Sequence, residues 1–524
     1  MSQRRKITTA TLSMAVATAC SRIAGLLRDV VVARLFGAGF ATDAFFMAFT
    51  IPNLLRRFFG EGSLTAAFVP IFAEVYQQQG PEQAQKLANR CVTLLLLVMM
   101  MVVAVGIFAS PWIVKGIGYG FGDVPGKLEL TDALNRLMFP YIGMVSLLAL
   151  VTGILNVHGH FFLPSLSPLF LNIAMIVSAL MLGQMFQQPV TALAIGVLVG
   201  GLVQLLLQYP ALVRYRIRFR FDWSWRDDLK LRRIVLLMLP GIAGVAIYQI
   251  NVVVTRLMAS FLPEGSVSYL YYGQRLFEFP QGIFIVSLAQ AALPAMSRQA
   301  AVEDWDGLQE SLRFTLALIA IFTLPAMLGL ILCAEPVYSL FFMGGEFDQA
   351  AVKNTALTLV CYAPGLVFVG MSRIAAQTFY ALKDTKTPVR ISFWTLLVNA
   401  GCGLLLMIPF QHFGLAIALT LASAFNALLL LRLLRRRVGP FLRGALLTPL
   451  LRSLPGCLVM AVSVYFLLGL ADWQHEGGTL VKGAVLATAV GAGLVSYVGI
   501  GLLLGVEQIR QGWTLLKKRK RGAA

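Results

Sequence analysis

The chain has 524 residues, of which 58% are hydrophobic and 13% charged, with a mean hydropathy of +0.78 and a formal net charge of +19. A soluble globular domain is nearer one quarter charged, and apolar runs of about 20 residues, long enough for a bilayer core of roughly 30 Å, recur from end to end. Composition therefore excludes a soluble fold, and the missing strand-like turn spacing favours helices over a barrel.

In chain order, fourteen spans fit: roughly 10–36, 41–76, 86–115, 130–157, 164–184, 189–213, 233–262, 266–298, 309–334, 350–381, 388–409, 413–434, 444–470 and 479–505. Several exceed the bilayer thickness and are expected to tilt, kink or project. The first follows Arg4, Arg5 and Lys6, and Ala17-Thr18-Ala19-Cys20 loosely resembles a lipoprotein cleavage site. Its apolar region is interrupted by Thr8, Thr9, Thr11 and Ser13, and the pattern continues past Arg28, which reads as a retained helix. The six cysteines are scattered without a CxxC pair and read as small buried apolar residues.

Most of the 43 basic residues fall on one side if the N-terminus is cytoplasmic. The densest runs are Arg214 to Arg233, Arg432 to Arg437 and Lys517 to Arg521. This asymmetry places both termini in the cytoplasm and accounts for the net charge without nucleic acid. The basic loops also suit anionic lipid headgroups.

Prolines reveal a repeat. Pro70, Pro140 and Pro164 recur as Pro294, Pro364 and Pro388, each displaced by 224 residues. Pro52, Arg28 and Gly37 recur as Pro280, Arg256 and Gly265 at a displacement of 228. Six helices per copy preserve orientation, so the copies are expected as parallel lobes that enclose a central cavity and rock about it. The expected organisation is an all-α polytopic membrane protein with an N-terminal lobe (1–230) and a C-terminal lobe (231–440). Helices 13 and 14 and a basic tail (441–524) complete it.

The arginines within the expected spans include Arg22, Arg28, Arg34, Arg56, Arg57, Arg256, Arg275 and Arg373. Each costs about 2.5–3.5 kcal/mol at a helix centre on insertion scales, so they must meet water, a partner or a ligand. Arg34 and Arg57 suit snorkelling. The acids at hand, Asp29, Asp43, Glu61 and Glu278, leave a cationic surplus. Ser21 and Arg28, and likewise Arg22 and Asp29, are seven apart and share a helix face; Arg275 and Glu278, three apart, can touch. Guanidinium forks match phosphate oxygens, so a wet cationic cavity selects phosphate-bearing anions. An inside-negative potential favours outward movement by about 2.3 kcal/mol per charge per 100 mV. Asp29 and Asp43 are alternatively proton carriers for coupled transport. No Walker motif or G-x-S-x-G elbow occurs, and the short His158–His160 pair makes a poor metal site; no catalytic residue and no metal ligand is assigned.

The run Ser21-Arg22-Ile23-Ala24-Gly25-Leu26-Leu27-Arg28-Asp29, then Phe36-Gly37-Ala38-Gly39 and Thr42-Asp43-Ala44-Phe45-Phe46, closely resembles the MurJ (MviN) family of lipid II flippases. Ile51-Pro52-Asn53-Leu54-Leu55-Arg56-Arg57, Gly265-Ser266-Val267-Ser268, Glu278-Phe279-Pro280 and Lys386-Thr387-Pro388 extend the likeness from about residue 9 to 437. The resemblance implies the fold of the multidrug/oligosaccharidyl-lipid/polysaccharide exporter superfamily, with two extra helices forming a groove for a lipid tail. It implies substrate-binding roles for Arg28, Arg56, Arg275, Arg22, Ser21 and Asp43, and gate roles for Asp29, Glu61 and Glu278. The implied partner is lipid II (undecaprenyl-diphosphate-MurNAc-pentapeptide-GlcNAc), flipped by alternating access across the bacterial inner membrane for cell-wall synthesis. Membrane lipids and cell-wall synthesis or division proteins are further expected partners. No cofactor is expected; membrane potential or a coupling ion would drive the step, although Thr395 and Asn399 have no carboxylate beside them for a sodium site. Alternatives are an exporter of another polyprenyl-diphosphate-linked sugar, a cation-coupled drug exporter of the same superfamily, a membrane glycosyltransferase, or a scaffold using its basic loops.

Overall fold

The structure, a computed structural model, describes the backbone of residues 3–58, 64–226, 228–441 and 447–511. Side chains are described from residue 14 onwards, apart from 240–245, 248 and 447–448. Among the described residues there is no β-strand, and seventeen α-helices account for nearly all of the backbone. Ten segments are long and apolar enough to cross a membrane by length and composition. That number is smaller than fourteen partly because one segment, Lys386–Val438, holds two expected spans. Helix α2 is a separate case: its 19 residues carry Asp43, Arg56 and Arg57.

By contacts the chain forms two compact units, Met1–Ser268 and Tyr269–Ala524. The first opens with α1 (Gln3–Phe36), a single helix running through Ala17–Cys20. The stretch expected as one span over 41–76 holds α2 (Phe40–Phe58) and the start of α3 (Leu64–Phe108), with 59–63 outside the described residues, and α3 is bent where Gly80 adopts φ 83°. Short α4 (Ser110–Ile117) precedes α5 (Lys127–Met138) and α6 (Tyr141–Val157), a pair expected as one span. They part at Pro140, which has no N–H to donate and clashes with the preceding turn. Helices α7 (Phe162–Leu182), α8 (Thr191–Arg214) and α9 (Leu229–Ser260) complete the unit's long elements.

The second unit holds most of α10 (Ser266–Pro280), which runs through a π-helical turn after Pro280 into α11 (Ser287–Ala301). Helix α12 (Trp305–Phe341) leads to α13 (Gln349–Tyr362) and α14 (Gly365–Ala381), which part at Pro364. Expected spans 11 and 12 are the two arms of α15 (Lys386–Val438), reversed at Gln411 with φ 50°. The turn is tight: a Cβ on Gly414 would lie 2.1 Å from the Leu406 carbonyl oxygen. Helices α16 (Leu447–Leu468) and α17 (Thr479–Leu503) form a hairpin against α12. Tyr497 donates to the Ile321 carbonyl at 2.7 Å, and the ammonium of Lys482, buried on α17, reaches Ser339 on α12 at 3.3 Å and also donates to the His475 carbonyl. Lys482 is a buried cation that hydropathy reading passed over.

The repeat inferred from prolines extends to backbone geometry. Pro140 and Pro364 both have φ −60°. Gly159 and Lys383, 224 residues apart, both have positive φ, and the turns close with equivalent bonds, His160 N–H to Leu155 O and Asp384 N–H to Phe379 O, each 2.9 Å. Gly37 and Gly265, 228 apart, likewise share positive φ.

Helix α7 lies against both α1 and α8. Two glycines four residues apart on α8 let it approach closely: a Cβ on Gly196 would lie 2.7 Å from Met175 Cα, and one on Gly200 would lie 2.9 Å from Leu171 Cα. Small residues at this spacing are how apolar helices associate when no hydrophobic drive separates protein from lipid. Since the obstructing atoms are backbone, Gly196→Leu should push α7 off α8 and destabilise the protein by about 1–3 kcal/mol or more. A lowered midpoint of thermal unfolding in detergent checks this, and an unchanged midpoint would refute the close-packing account.

Candidate functional site

Helix α1 carries the first cluster. Arg28 and Asp29 are both buried, 5% and 1% exposed, and form an ion pair with Nε at 3.0 Å and Nη2 at 2.5 Å from Asp29 Oδ1. Arg28 Nη1 also donates to Asn172 Oδ1 on α7 at 3.1 Å, and Asn172 Nδ2 reaches the Ser21 carbonyl at 3.3 Å. The shared face expected for Ser21 and Arg28 is thus real, and Asn172 spans it. Arg22 is exposed, and among the described residues no contact joins it to Asp29. Asn172 was missed because its role depends on where α7 packs, although an amide within an apolar run was a usable signal.

Asp43 occupies a different setting from the open substrate site expected of it. It is 1% exposed. Its carboxylate accepts from Lys127 Nζ (3.0 Å), Gly265 N–H (2.8 Å), Ser268 N–H (2.9 Å) and Ser268 Oγ (2.7 Å). These bonds tie α2 to the first residue of α5 and to the turn that opens α10. Gly265, at φ 88°, aims its N–H inward in a conformation that glycine adopts without strain. Lys127, just outside the expected span 130–157, was missed as the counter-ion.

The remaining residues divide by exposure. Arg275 Nη1 lies 3.5 Å from Glu278 Oε2, both side chains 36% exposed, and its guanidinium stands 5.9 Å from the Tyr271 ring. Arg56 is half-buried, with Nε donating to Asn53 Oδ1 at 3.1 Å; Arg57 is also half-buried, while Arg34 and Arg373 are exposed. Arg256 is buried and donates to the Val267 carbonyl at 3.0 Å, fixing the turn beside Asp43. Glu61 lies outside the described residues. His158 packs against Tyr76 and Tyr215 and contacts the Ile154 carbonyl through Nδ1.

The connection between α8 and α9, itself outside the spans, is fastened to α3. Arg90 Nε meets Asp222 Oδ2 at 3.1 Å and Nη1 meets Asp228 Oδ2 at 2.7 Å. Burial pushes the Asp228 carboxyl up, but Arg90 and the N–H groups of Leu231 and Lys230 outweigh it and hold it below the usual carboxylate value. Asp222 is lowered too, by Ser224 N–H first and then by Arg90, against a smaller effect of burial. A depressed carboxyl adds stability above its unfolded pKa of about 3.9, and that stability is lost as pH falls through the lower folded value. Trp223 and Trp225 fluorescence should therefore stay constant from neutral pH down to about pH 4 and shift only below it. A shift at higher pH would show that this clamp does not hold the connection.

Ionisable residues buried within apolar helices mark functional sites. A family model described as Lipid II flippase MurJ matches residues 32–485. The chain is 35% identical over 500 residues, 94% of each protein, to a probable lipid II flippase MurJ of Vibrio cholerae. A solved lipid II flippase MurJ in an inward closed conformation superposes with a TM-score of 0.77 at 26% identity, covering 95% of this chain and 99% of that one. An inward-facing multidrug resistance MATE family transporter of the MOP superfamily shares the fold, with a TM-score of 0.68 at 15% identity over 80% and 94%. The fold is therefore that of a MOP-superfamily transporter, a multi-span membrane protein. Within that class, the chain belongs to the MurJ family of lipid II flippases.

Removing one partner from a buried ion pair costs about 3–5 kcal/mol, because the other charge is left uncompensated. Asp43→Ala should lower stability by about that much, and Lys127→Met in the same chain should recover part of it. Thermal unfolding of both single variants and the double variant measures the coupling; strictly additive effects would rule out Asp43–Lys127 as a pair.

Proposed function

We propose that this chain carries lipid II from the cytoplasmic to the periplasmic leaflet of the bacterial inner membrane by alternating access, with both termini in the cytoplasm. Family membership supports the substrate. The observation that carries the chemistry is Arg28: a buried guanidinium within an apolar helix, held by partners that a diphosphate can replace. A carboxylate and an amide oxygen now fill its donor positions. Phosphate oxygens match the same fork with paired, charge-assisted bonds.

Arg275 and Arg56, reachable by water, take the headgroup first, and Arg28 joins as its pair with Asp29 opens. Glu278 and Asp29 receive their arginines back when the diphosphate leaves, so charge is never stranded in the low-dielectric interior. The Asp43 bonds to Lys127, Gly265 and Ser268 hold α2, α5 and the start of α10 together and part as the protein changes state. Asp43 then acts as a latch, and its binding role is indirect. The organisation is two six-helix lobes (1–230 and 231–440) with α16 and α17 alongside the prenyl chain, and an arginine-lined cavity for the headgroup. No covalent chemistry and no cofactor take part. The inside-negative potential assists by about 2.3 kcal/mol per charge per 100 mV. A surplus of guanidinium groups speaks against a cationic drug as cargo.

Arg28→Ala and Arg275→Ala should each abolish exposure of lipid II on the outer leaflet at unchanged protein level. Arg28→Lys keeps the charge without the fork and should fall in between. Leaflet accessibility of labelled lipid II in cells depleted of their own flippase reads this directly. Full rescue by Arg28→Ala would sink the proposal.

A further inference from the structure

The connection between α8 and α9 has a pattern that flipping does not use. Residues 214–225 read Arg-Tyr-Arg-Ile-Arg-Phe-Arg-Phe-Asp-Trp-Ser-Trp, with arginine at every second position from Arg214 to Arg220 and apolar or aromatic residues between. Such alternation separates two chemistries only if the chain is extended. Arg214 closes α8 and Arg216 turns at φ 57°, and from Ile217 to Asp222 the bonds to α3 show that it is. Gln85 donates to the Arg218 carbonyl (2.8 Å), Asn89 Oδ1 accepts from Arg220 N–H (3.2 Å), and Thr93 Oγ1 accepts from Asp222 N–H (3.0 Å). Steps of four residues along a helix rise about 6 Å, and steps of two along an extended chain rise about 6.6 Å. The spacings agree, so the segment runs extended along one face of α3, locked at its end by Arg90.

Ile217 is buried where the extended run begins, and Tyr215, at the end of α8, packs against His158 with ring centroids 4.8 Å apart. Arg214, Arg216, Arg218 and Arg220 are exposed, and among the described residues none has an acidic partner. Beyond them Phe221 and Trp223 are 71% and 66% exposed. The strip starts where α8 ends, and its anchors on α3 lie just before that helix's long apolar run from Leu94 to Phe108. It therefore sits at the edge of the apolar belt.

We propose that Arg216, Arg218, Arg220, Phe221 and Trp223 form a binding strip for anionic phospholipids of the adjoining leaflet, guanidinium groups on headgroup phosphates and the two rings among the upper acyl carbons. A topology signal requires only positive charge. It requires neither a fixed extended register nor two large exposed rings beside the arginines, whereas an interfacial lipid site requires both. Nucleic acid would meet the same charges, but a strip at the belt's edge faces headgroups before any soluble polymer. The inference rests on the chain spanning a membrane and is independent of what it transports.

The test uses the full chain in phosphatidylcholine bilayers with added phosphatidylglycerol, bromine being placed on the acyl chains of one lipid at a time. The Trp223 signal is defined by its loss in Trp223→Phe. Brominated phosphatidylglycerol should quench it well below its share of the bilayer, and brominated phosphatidylcholine should not. Each guanidinium at an anionic surface contributes roughly fivefold, so R216Q/R218Q/R220Q should weaken the preference by about 100-fold. Equal quenching by both lipids in the unmodified protein would overturn the proposal, as would a preference that survives in the triple variant. Short RNA bound through these arginines without any preference for phosphatidylglycerol would also overturn it. Should the triple variant fail to fold, the comparison of lipids in the unmodified protein decides alone.

Discussion

A cation inside an apolar helix bundle is admitted only with an anion or a set of dipoles to meet it, and the first unit is organised around two such meetings. Arg28 finds Asp29 beside it and Asn172 across from it; Lys127 finds Asp43. Neither pair could be buried without the helices that deliver its partners. Asn172 is in place because α7 is pressed onto α8 at Gly196 and Gly200, where a side chain would strike backbone. Asp43 is satisfied because Gly265 turns its N–H inward. Small residues with no charge of their own thus set the geometry in which charge is tolerated.

The in-span arginines form populations of different physical character. Arg28 and Arg256 are buried and hydrogen-bonded, so moving either means replacing its partners as it goes. Arg275 is a third exposed beside Glu278, and water screens that pair, which makes it a weaker restraint and a more accessible donor. An exposed guanidinium is open to any anion from water, whereas a desolvated fork rewards only a ligand that matches it.

Much of this was legible in the amino-acid sequence, for reasons that can be named. In-span arginines stand out because apolar periodicity is long-range and charge within it is rare; the repeat stands out because proline leaves a fixed mark on backbone geometry. What escaped depended on tertiary placement. Asn172, Lys127 and Lys482 acquire their meaning from the residue they face, and hydropathy carries no information about facing. Pro140 and Pro364 lie within continuous expected spans, whereas in the structure a helix ends just before each. Each is followed by a residue able to restart one, so a propensity sum over the window shows no gap.

The two copies of the repeat duplicate the scaffold without duplicating the chemistry. Breaks at Pro140 and Pro364, positive φ at Gly159 and Lys383, and at Gly37 and Gly265, all recur. At the same displacements, Asp29, Asp43, Lys127 and Asn172 become Leu257, Tyr271, Ala351 and Leu396. Arg28 alone keeps its type, as Arg256, and there it bonds a carbonyl oxygen where Arg28 bonds a carboxylate. A carbonyl in a turn moves with the backbone, so Arg256 can brace that turn through a conformational change. A carboxylate on the neighbouring side chain can instead release its guanidinium and take it back. The backbone breaks thus recur in both copies, whereas the buried charges, Arg28 and Arg256 apart, do not.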